Sequence, residues 1–353
     1  MKYKNLSKKI IKTVKSKGFN HVELPSVIET NLILQRSGEN FRKYLFSFNN
    51  SEGKEFALNP DLSLSAILNY AKSKSLKREK IFYSGNAFRK SYNKKKTVIN
   101  QIGIEIFSSK NESKDDKEVL DTSIKMLKAS GFKKAKINIG NFKLFELLIK
   151  KLPIVPRWQS RLIKFYWNEK YFLELLKRLE SNLDIDPFKV SADHKIYLRM
   201  KKENPNKIIA GRSYKEILSR YENKIQNPRI TTTGKYSAKV IKEFLKIKSP
   251  LRDAPKKLNQ FFKKYNLNIY VGKEFFPISN FNQKNYKFEF SSSNGRGKEV
   301  EYYDSFNFSI DVKFKNKTFS FITGGRYNDM AQRNLGLKKI PAVGAAINLG
   351  IYD

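Results

Sequence analysis

An α+β fold is predicted by three observations on this sequence. Strands and helices succeed one another without a regular βαβ repeat, strands adjacent in sequence are joined by short polar loops, and the last third returns to strand after a run of helices. Leu6, Ile10, Ile11 and Val14 stand at helical spacing, so residues 5–17 read as an amphipathic helix that Gly18 stops. Residues 21–25 read as a short strand, and residues 43–48 and 54–58 flank a polar turn as a hairpin. Asp61-Leu62-Ser63 opens an apolar-periodic run to about residue 73, and Asp61 or Ser63 would cap that helix.

Residues 81–87 and 99–107 are expected to be two antiparallel strands joined by a polar loop carrying Lys94-Lys95-Lys96. A helix over 116–129 closed by Gly131, a strand over 134–139 and a helix over 144–152 follow. Between 153 and 232 the character changes to aromatic-containing helical stretches, such as 165–179, separated by Pro-, Asn- and Asp-containing loops. The expected organisation is therefore a core domain of residues 1–152 and 233–353 carrying a mostly helical insertion at 153–232. Helices over 235–247 and 256–265 lead to strands at 269–271, 287–291, 303–314 and 318–323. Phe306, Phe308, Ile310, Val312 and Phe314 alternate with Asn307, Ser309, Asp311 and Lys313, which predicts a half-buried strand turning at Lys315-Asn316-Lys317.

The 353 residues suffice to bury roughly three quarters of the unfolded surface, and 40% hydrophobic with 29% charged residues is a globular composition. No apolar run approaches the ~20 residues that span a bilayer, and the N-terminal segment has no signal-like apolar stretch. The chain has no cysteine, which excludes disulfides and thiolate metal sites. A cytoplasmic location without membrane association is expected. The net charge of +38, from 71 basic against 33 acidic residues, leaves two readings open: a lysine-coated solvated surface, or an electrostatic role toward nucleic acid.

On the second long strand a period of two puts Gln101, Gly103 and Glu105 on one face and Ile102, Ile104 and Ile106 on the other. The isoleucines are expected to face the core. An amide, a bare backbone position and a carboxylate opposite them read either as a solvated face or as a face that meets a ligand. His21 and His194 lie far apart without acidic residues at ligand spacing, so no metal site is expected. Nucleophile signatures and glycine-rich phosphate loops are absent, and Gly295-Arg296-Gly297 reads as a turn.

Taken in order, Phe88-Arg89, Gln101-x-x-x-Glu105, Tyr302-Tyr303 and Gly324-Gly325-Arg326-Tyr327 resemble the motif series of the histidyl-tRNA synthetase catalytic domain. Leu58-Asn59-Pro60-Asp61-Leu62-Ser63 is similar to its substrate loop, with Asn59 where an arginine is usual. The resemblance implies a class II aminoacyl-tRNA synthetase-like fold: a mixed, mainly antiparallel sheet flanked by helices, with a helical insertion, dimerising through its N-terminal segment. It further implies a histidine pocket in which Asp61, Ser63 and Gln101 take the ammonium, Glu105 and Tyr303 the imidazole, and Tyr327 closes the site, with Arg89 retained beside it. Oxygen acceptors suit a cationic amine, and an aromatic wall with a polar tip suits an imidazole. Tyr302, on the opposite face of the expected strand, would pack in the core.

The nucleotide side departs from that pattern. Ser91 stands where a glutamate is usual, Ile351 where the last strand ends in an arginine, and Lys298 where another arginine precedes the tyrosine pair, unless a local shift brings in Arg296. Lysine cannot reproduce the bidentate fork of arginine on phosphate, and isoleucine carries no charge. The sequence passes from 342–347 to Asn348-Leu349-Gly350-Ile351-Tyr352-Asp353 without a tRNA-binding domain. A pocket of this kind resembles the regulatory-subunit family of ATP phosphoribosyltransferase. That resemblance implies no catalytic residues, no cofactor, a short-form catalytic subunit as partner and histidine as ligand. A divergent synthetase and a tRNA- or RNA-binding paralogue are the rival expectations.

Overall fold

A computed structural model describes residues 2–37, 39–73, 77–90, 97–181, 187–202, 208–209, 212–225, 231–277, 285–297, 303–336 and 338–352. Helix α1 (Lys2–Lys15) runs to the Gly18 turn, where φ is +76°. Then come β1 (Asn20–His21), β2 (Val27–Glu29), α2 (Thr30–Ser37), β3 (Ser47–Asn49), β4 (Glu55–Leu58) and α3 (Leu62–Ala71). The hairpin of β5 (Glu79–Phe88) and β6 (Val98–Phe107) leads into α4 (Glu112–Ala129), β7 (Ala135–Asn141) and α5 (Phe142–Lys151). A helix-rich stretch follows, made of α6 (Pro156–Lys164), α7 (Glu169–Glu180), α8 (Pro187–Lys201), β8 (Ile208–Ile209), β9 (Arg212–Ser213) and α9 (Tyr214–Ile225). Next are α10 (Thr231–Leu245), β10 (Lys248–Pro250), α11 (Ala254–Lys264), β11 (Tyr286–Ser291), β12 (Phe306–Phe314), β13 (Lys317–Arg326), α12 (Met330–Leu335) and β14 (Ala342–Asn348).

Nine strands form one sheet in the order β1-β5-β6-β14-β13-β12-β7-β11-β10, and β2, β4 and β3 form a separate three-stranded sheet. In the large sheet β1 runs parallel to β5 and β11 to β7, while the other neighbours are antiparallel. The alternation of β6 fixes which face meets what. Ile102, Ile104 and Ile106 are fully buried with Phe82 against Ile10 and Val14 of α1 and Val119, Leu120 and Ile124 of α4. Burial of that size is worth roughly 2 kcal/mol per side chain. Trp158 and Leu162 of α6 and Phe172, Leu175 and Leu176 of α7 belong to the same core.

Ile81, Tyr83 and Phe107 point the other way, into a second core with Ile33 of α2, Leu64 and Ile67 of α3, and Met330 and Ala331 of α12. Helices therefore cover both faces of the sheet where the β5–β6 hairpin lies. The β12–β13 hairpin turns at Lys315 and Asn316, whose φ values of +46° and +61° bracket a two-residue turn between the paired Phe314 and Lys317. Two left-handed residues match the twist of the strands they join.

Four expectations need correction. Residues 269–271 are not a strand: the backbone N–H and C=O of Val271 are satisfied by the side-chain amide of Asn259, at 2.8 and 2.9 Å, which takes the place of a neighbouring strand. Strand β12 starts at Phe306, so Tyr303 precedes it, and the Asp304 N–H bonds the Arg326 carbonyl at 2.9 Å. The first half of β12 is buried on both faces, Asn307 and Ser309 included, because protein amides meet the polar face: Asn307 Oδ1 accepts from Asn294 at 2.8 Å and Ser309 Oγ from Asn138 at 3.3 Å. The helix expected over 165–179 also begins later, at Glu169 behind the Asn168 cap.

Candidate ligand-binding site

Paired positions trace one lane across the sheet. Glu105 on β6 faces Gly344 on β14, Gly344 faces Gly325 on β13, and Gly325 faces Asn307 on β12. Directly opposite residues share a face, so two positions without a Cβ lie between a carboxylate and an amide, and the side chains of neighbours cover them. Its glycines are required by close approach. A Cβ on Gly344 would lie 1.4 Å from Glu105 Oε2, and one on Gly325 would lie 2.6 Å from Tyr303 Cδ1.

Glu105 is fully buried and is held by hydroxyls. Ser63 Oγ donates to Oε1 at 2.7 Å, Tyr83 donates to Oε1 at 3.2 Å, and Tyr327 donates to Oε2 at 2.5 Å. No ion pair to Glu105 forms among the described residues. Burial raises its pKa to about 7; the hydroxyls of Tyr327, Ser63 and Tyr83 pull it down, and the nearby charge of Asp61 pushes it up. Tyr83, whose own pKa is raised well above the usual value by burial, completes the cluster through a 3.1 Å contact with Ser63 Oγ. Its ring lies on Gly103, the residue it pairs with across the β5–β6 ladder, where a Cβ would come within 2.1 Å of the ring.

The predicted residues are placed unequally. Ser63, Glu105 and Tyr327 meet directly. Asp61 caps α3, its Oδ1 accepting the N–H groups of Ser63 and Leu64 at 3.0 and 3.3 Å, so Asp61 and not Ser63 is the cap. Arg89 Nε donates to the Pro60 carbonyl at 2.8 Å and braces the same loop. Asn59 is fully buried and donates to the Pro25 carbonyl and to Ser65 Oγ, at 2.8 and 2.7 Å, a structural role for the position where the resemblance expects an arginine. Gln101 bonds Asn348 Oδ1 at 3.0 Å, farther along β6, and half-buried Tyr303 sits two strands from Glu105 with its ring 6.3 Å from that of Trp167. Arg296 is committed elsewhere: Nε donates to the Tyr166 carbonyl at 2.9 Å, and the guanidinium lies over the Tyr166 and Phe172 rings. Ser91, Lys298 and Tyr302 lie outside the described residues, and the backbone of Ile351 follows β14 in a 3-10 turn.

One participant, Tyr83, escaped sequence reasoning; a glycine facing an aromatic across a hairpin was the available signal. Behind the site, on the opposite face of the sheet, lies the Arg326 to Asp116 pair. Arg326, 1% exposed, donates to Asp116 Oδ1 at 2.8 Å, to Asn328 Oδ1 at 3.1 Å and to the Glu112 carbonyl at 2.9 Å, tying β13 to α4. Burial pushes Asp116 up to about 6 against the pull of Arg326. Asp304, on the approach to β12, is likewise raised by burial, to about 7, while accepting the Asp329 N–H. Among the described residues no group of three or more His, Asp or Glu is placed to hold a metal ion, and no helix is long and apolar enough to cross a membrane.

A mixed, mainly antiparallel sheet flanked by helices, with Glu105 on β6 joined by Ser63 of α3 and by Tyr327 just past β13, defines a class II synthetase-like body. The chain belongs to the histidyl-tRNA synthetase family, whose model, described as Histidyl-tRNA synthetase, matches residues 1–205. A curated relative named ATP phosphoribosyltransferase regulatory subunit, from Rhizobium meliloti (strain 1021), is 23% identical over 92% of this chain and 90% of its own length. A solved structure described as an ATP phosphoribosyltransferase regulatory subunit/histidyl-tRNA synthetase from Bacillus halodurans superposes with a TM-score of 0.57 at 16% identity, covering 99% of this chain and 77% of that one. Histidyl-tRNA synthetase from Nostoc sp. PCC 7120 gives 0.59 at 17% identity, covering 99% and 70%.

Proposed function

We propose that this chain is the regulatory, non-catalytic subunit of an ATP phosphoribosyltransferase, acting in histidine biosynthesis by assembling with a short catalytic subunit and activating it. The pocket at Glu105 takes histidine: Asp61, Ser63 and Gln101 receive the ammonium, Glu105 and Tyr303 the imidazole, with Arg89 bracing the loop and Tyr327 closing the site. Residues 153–232 form a helical insertion on the core of 1–152 and 233–353, and the chain pairs with a second copy inside the hetero-oligomer.

The observation that carries this reading is an asymmetry. The amino-acid side of the site is assembled, with Glu105, Ser63 and Tyr327 in direct contact. On the nucleotide side Ile351 stands where the family resemblance expects an arginine, and Arg296 is held by Tyr166. Adenylate chemistry depends on cationic groups preorganised on the phosphates, so losing them removes that step while leaving ligand binding intact. A ligand that binds two states of the assembly unequally then shifts activity, which is the basis of feedback.

The test is to co-purify the chain with a short-form catalytic subunit and follow phosphoribosyl-ATP formation. Activation on adding the chain is expected; equal rates with and without it would overturn the proposal. Histidine-dependent exchange of pyrophosphate into ATP by the chain alone would establish the synthetase reading instead.

A further inference from the structure

The two oxygens of Glu105 are held in different ways. Oε1 is turned toward Ser63 and Tyr83, and both are fixed: Ser63 by the first turn of α3, Tyr83 by its ring packed on Gly103. Oε2 lies over Gly344, in the space a Cβ would take, and receives the Tyr327 hydroxyl. Among the described residues Oε1 thus keeps two hydroxyl donors and Oε2 one.

We propose that Tyr327 is an exchangeable cap, an internal stand-in whose hydroxyl fills Oε2 in the empty pocket and which a ligand N–H binds by displacing. The proposal rests on the reading that the pocket takes an imidazole-bearing amino acid. Three observations support it. Glu105 is a fully buried carboxylate held by neutral hydroxyls with no ion pair among the described residues, and a buried carboxylate needs full hydrogen bonding to stay ionised. Of the groups facing it, Asp61 beside α3 raises its pKa, while Tyr327 from the end of β13, Ser63 from α3 and Tyr83 from β5 lower it, Tyr327 most. The backbone of Tyr327 is anchored by its N–H on the Ala342 carbonyl at 2.8 Å, and its ring is packed in the core beneath α3 and α12. What is exchanged is thus one hydrogen bond; the ring stays in the core.

The cap reverses the sign that a simple contact would give. If Tyr327 competes with the ligand, removing its hydroxyl lowers the cost of entry; if it only touches the ligand, removing it weakens binding. Calorimetry with L-histidine at pH 8.5, where Glu105 is ionised, is expected to show about tenfold tighter binding to full-length Tyr327→Phe than to wild type. Ser63→Ala, on the fixed side, is expected to bind more weakly than wild type. Unchanged or weaker binding by Tyr327→Phe overturns the cap. A wild type that does not bind histidine overturns the ligand assignment alone, and the cap is then decided on the empty protein. There the ¹³C titration of the Glu105 carboxyl is expected to move upward in Tyr327→Phe, and an unmoved titration overturns the cap.

Discussion

Two buried carboxylates, Glu105 and Asp116, sit on opposite faces of the same sheet and are stabilised by opposite means. Asp116 on α4 is met by the Arg326 guanidinium, whose other donors go to Asn328 and the Glu112 carbonyl. Glu105 is met by three hydroxyls and no cation among the described residues. Charge paired with charge, with each guanidinium nitrogen bonded inside the fold, makes a clamp that ties β13 to α4. Neutral hydroxyls around a carboxylate make a place where a donor can be exchanged. A perturbed carboxylate alone therefore does not mark a site; the kind of partner it keeps does.

The largest expected effect breaks the clamp. Asp116→Ala leaves the Arg326 guanidinium buried without its carboxylate and should cost about 3–5 kcal/mol in urea unfolding. A loss under about 1 kcal/mol would erase the distinction between the two carboxylates.

Next comes pH. The Glu105 pKa rises from 4.5 to about 7 on folding, so folding favours its protonated form. Its contribution is fully present below about 4.5 and is lost as pH climbs through 7, a total of about 3 kcal/mol. Asp304, raised to about 7 by burial, changes in the same direction, so the measured quantity is the difference between wild type and Glu105→Gln. That difference should grow in favour of the variant between pH 4.5 and 7 and then level off; a flat difference would mean Glu105 is as comfortable ionised as an exposed carboxylate.

The smallest expected effect sharpens the hydroxyl side. Gly103→Ala would place a methyl 2.1 Å from the Tyr83 ring and should cost roughly 1–3 kcal/mol by displacing it. Thermal unfolding beside a Tyr83→Phe control separates loss of the ring's seat from loss of its hydroxyl.

Much of this was legible because short-range periodicity reports faces. The alternation of Gln101, Gly103 and Glu105 with three isoleucines separates the two faces of β6, and the two-residue turn at Lys315 and Asn316 lies where the polar tip predicts it. What stayed hidden depends on contacts far apart in sequence. Arg326 finds Asp116 210 positions away, and nothing local distinguishes that arginine from the rest of its motif. Residues 269–271 carry β-favouring side chains, yet a single asparagine amide meets the backbone needs of Val271, and propensity cannot foresee such a substitute. The expected strand runs from Tyr303, whereas the pairing of β12 with β7 starts at Phe306.

Strand β14 lies between β6 and β13, so the surroundings of Glu105 are assembled from distant parts of the chain: Gln101 bonds Asn348 across 247 positions. Until β14 inserts, β6 presents an open hydrogen-bonding edge and Glu105 has neither Gly344 beneath it nor Tyr327 above it. Loop closure over that span is among the slow, late steps of folding. The contacts around Glu105 are consequently a product of long-range pairing: until β6 and β14 meet, the chain displays an open edge that can aggregate.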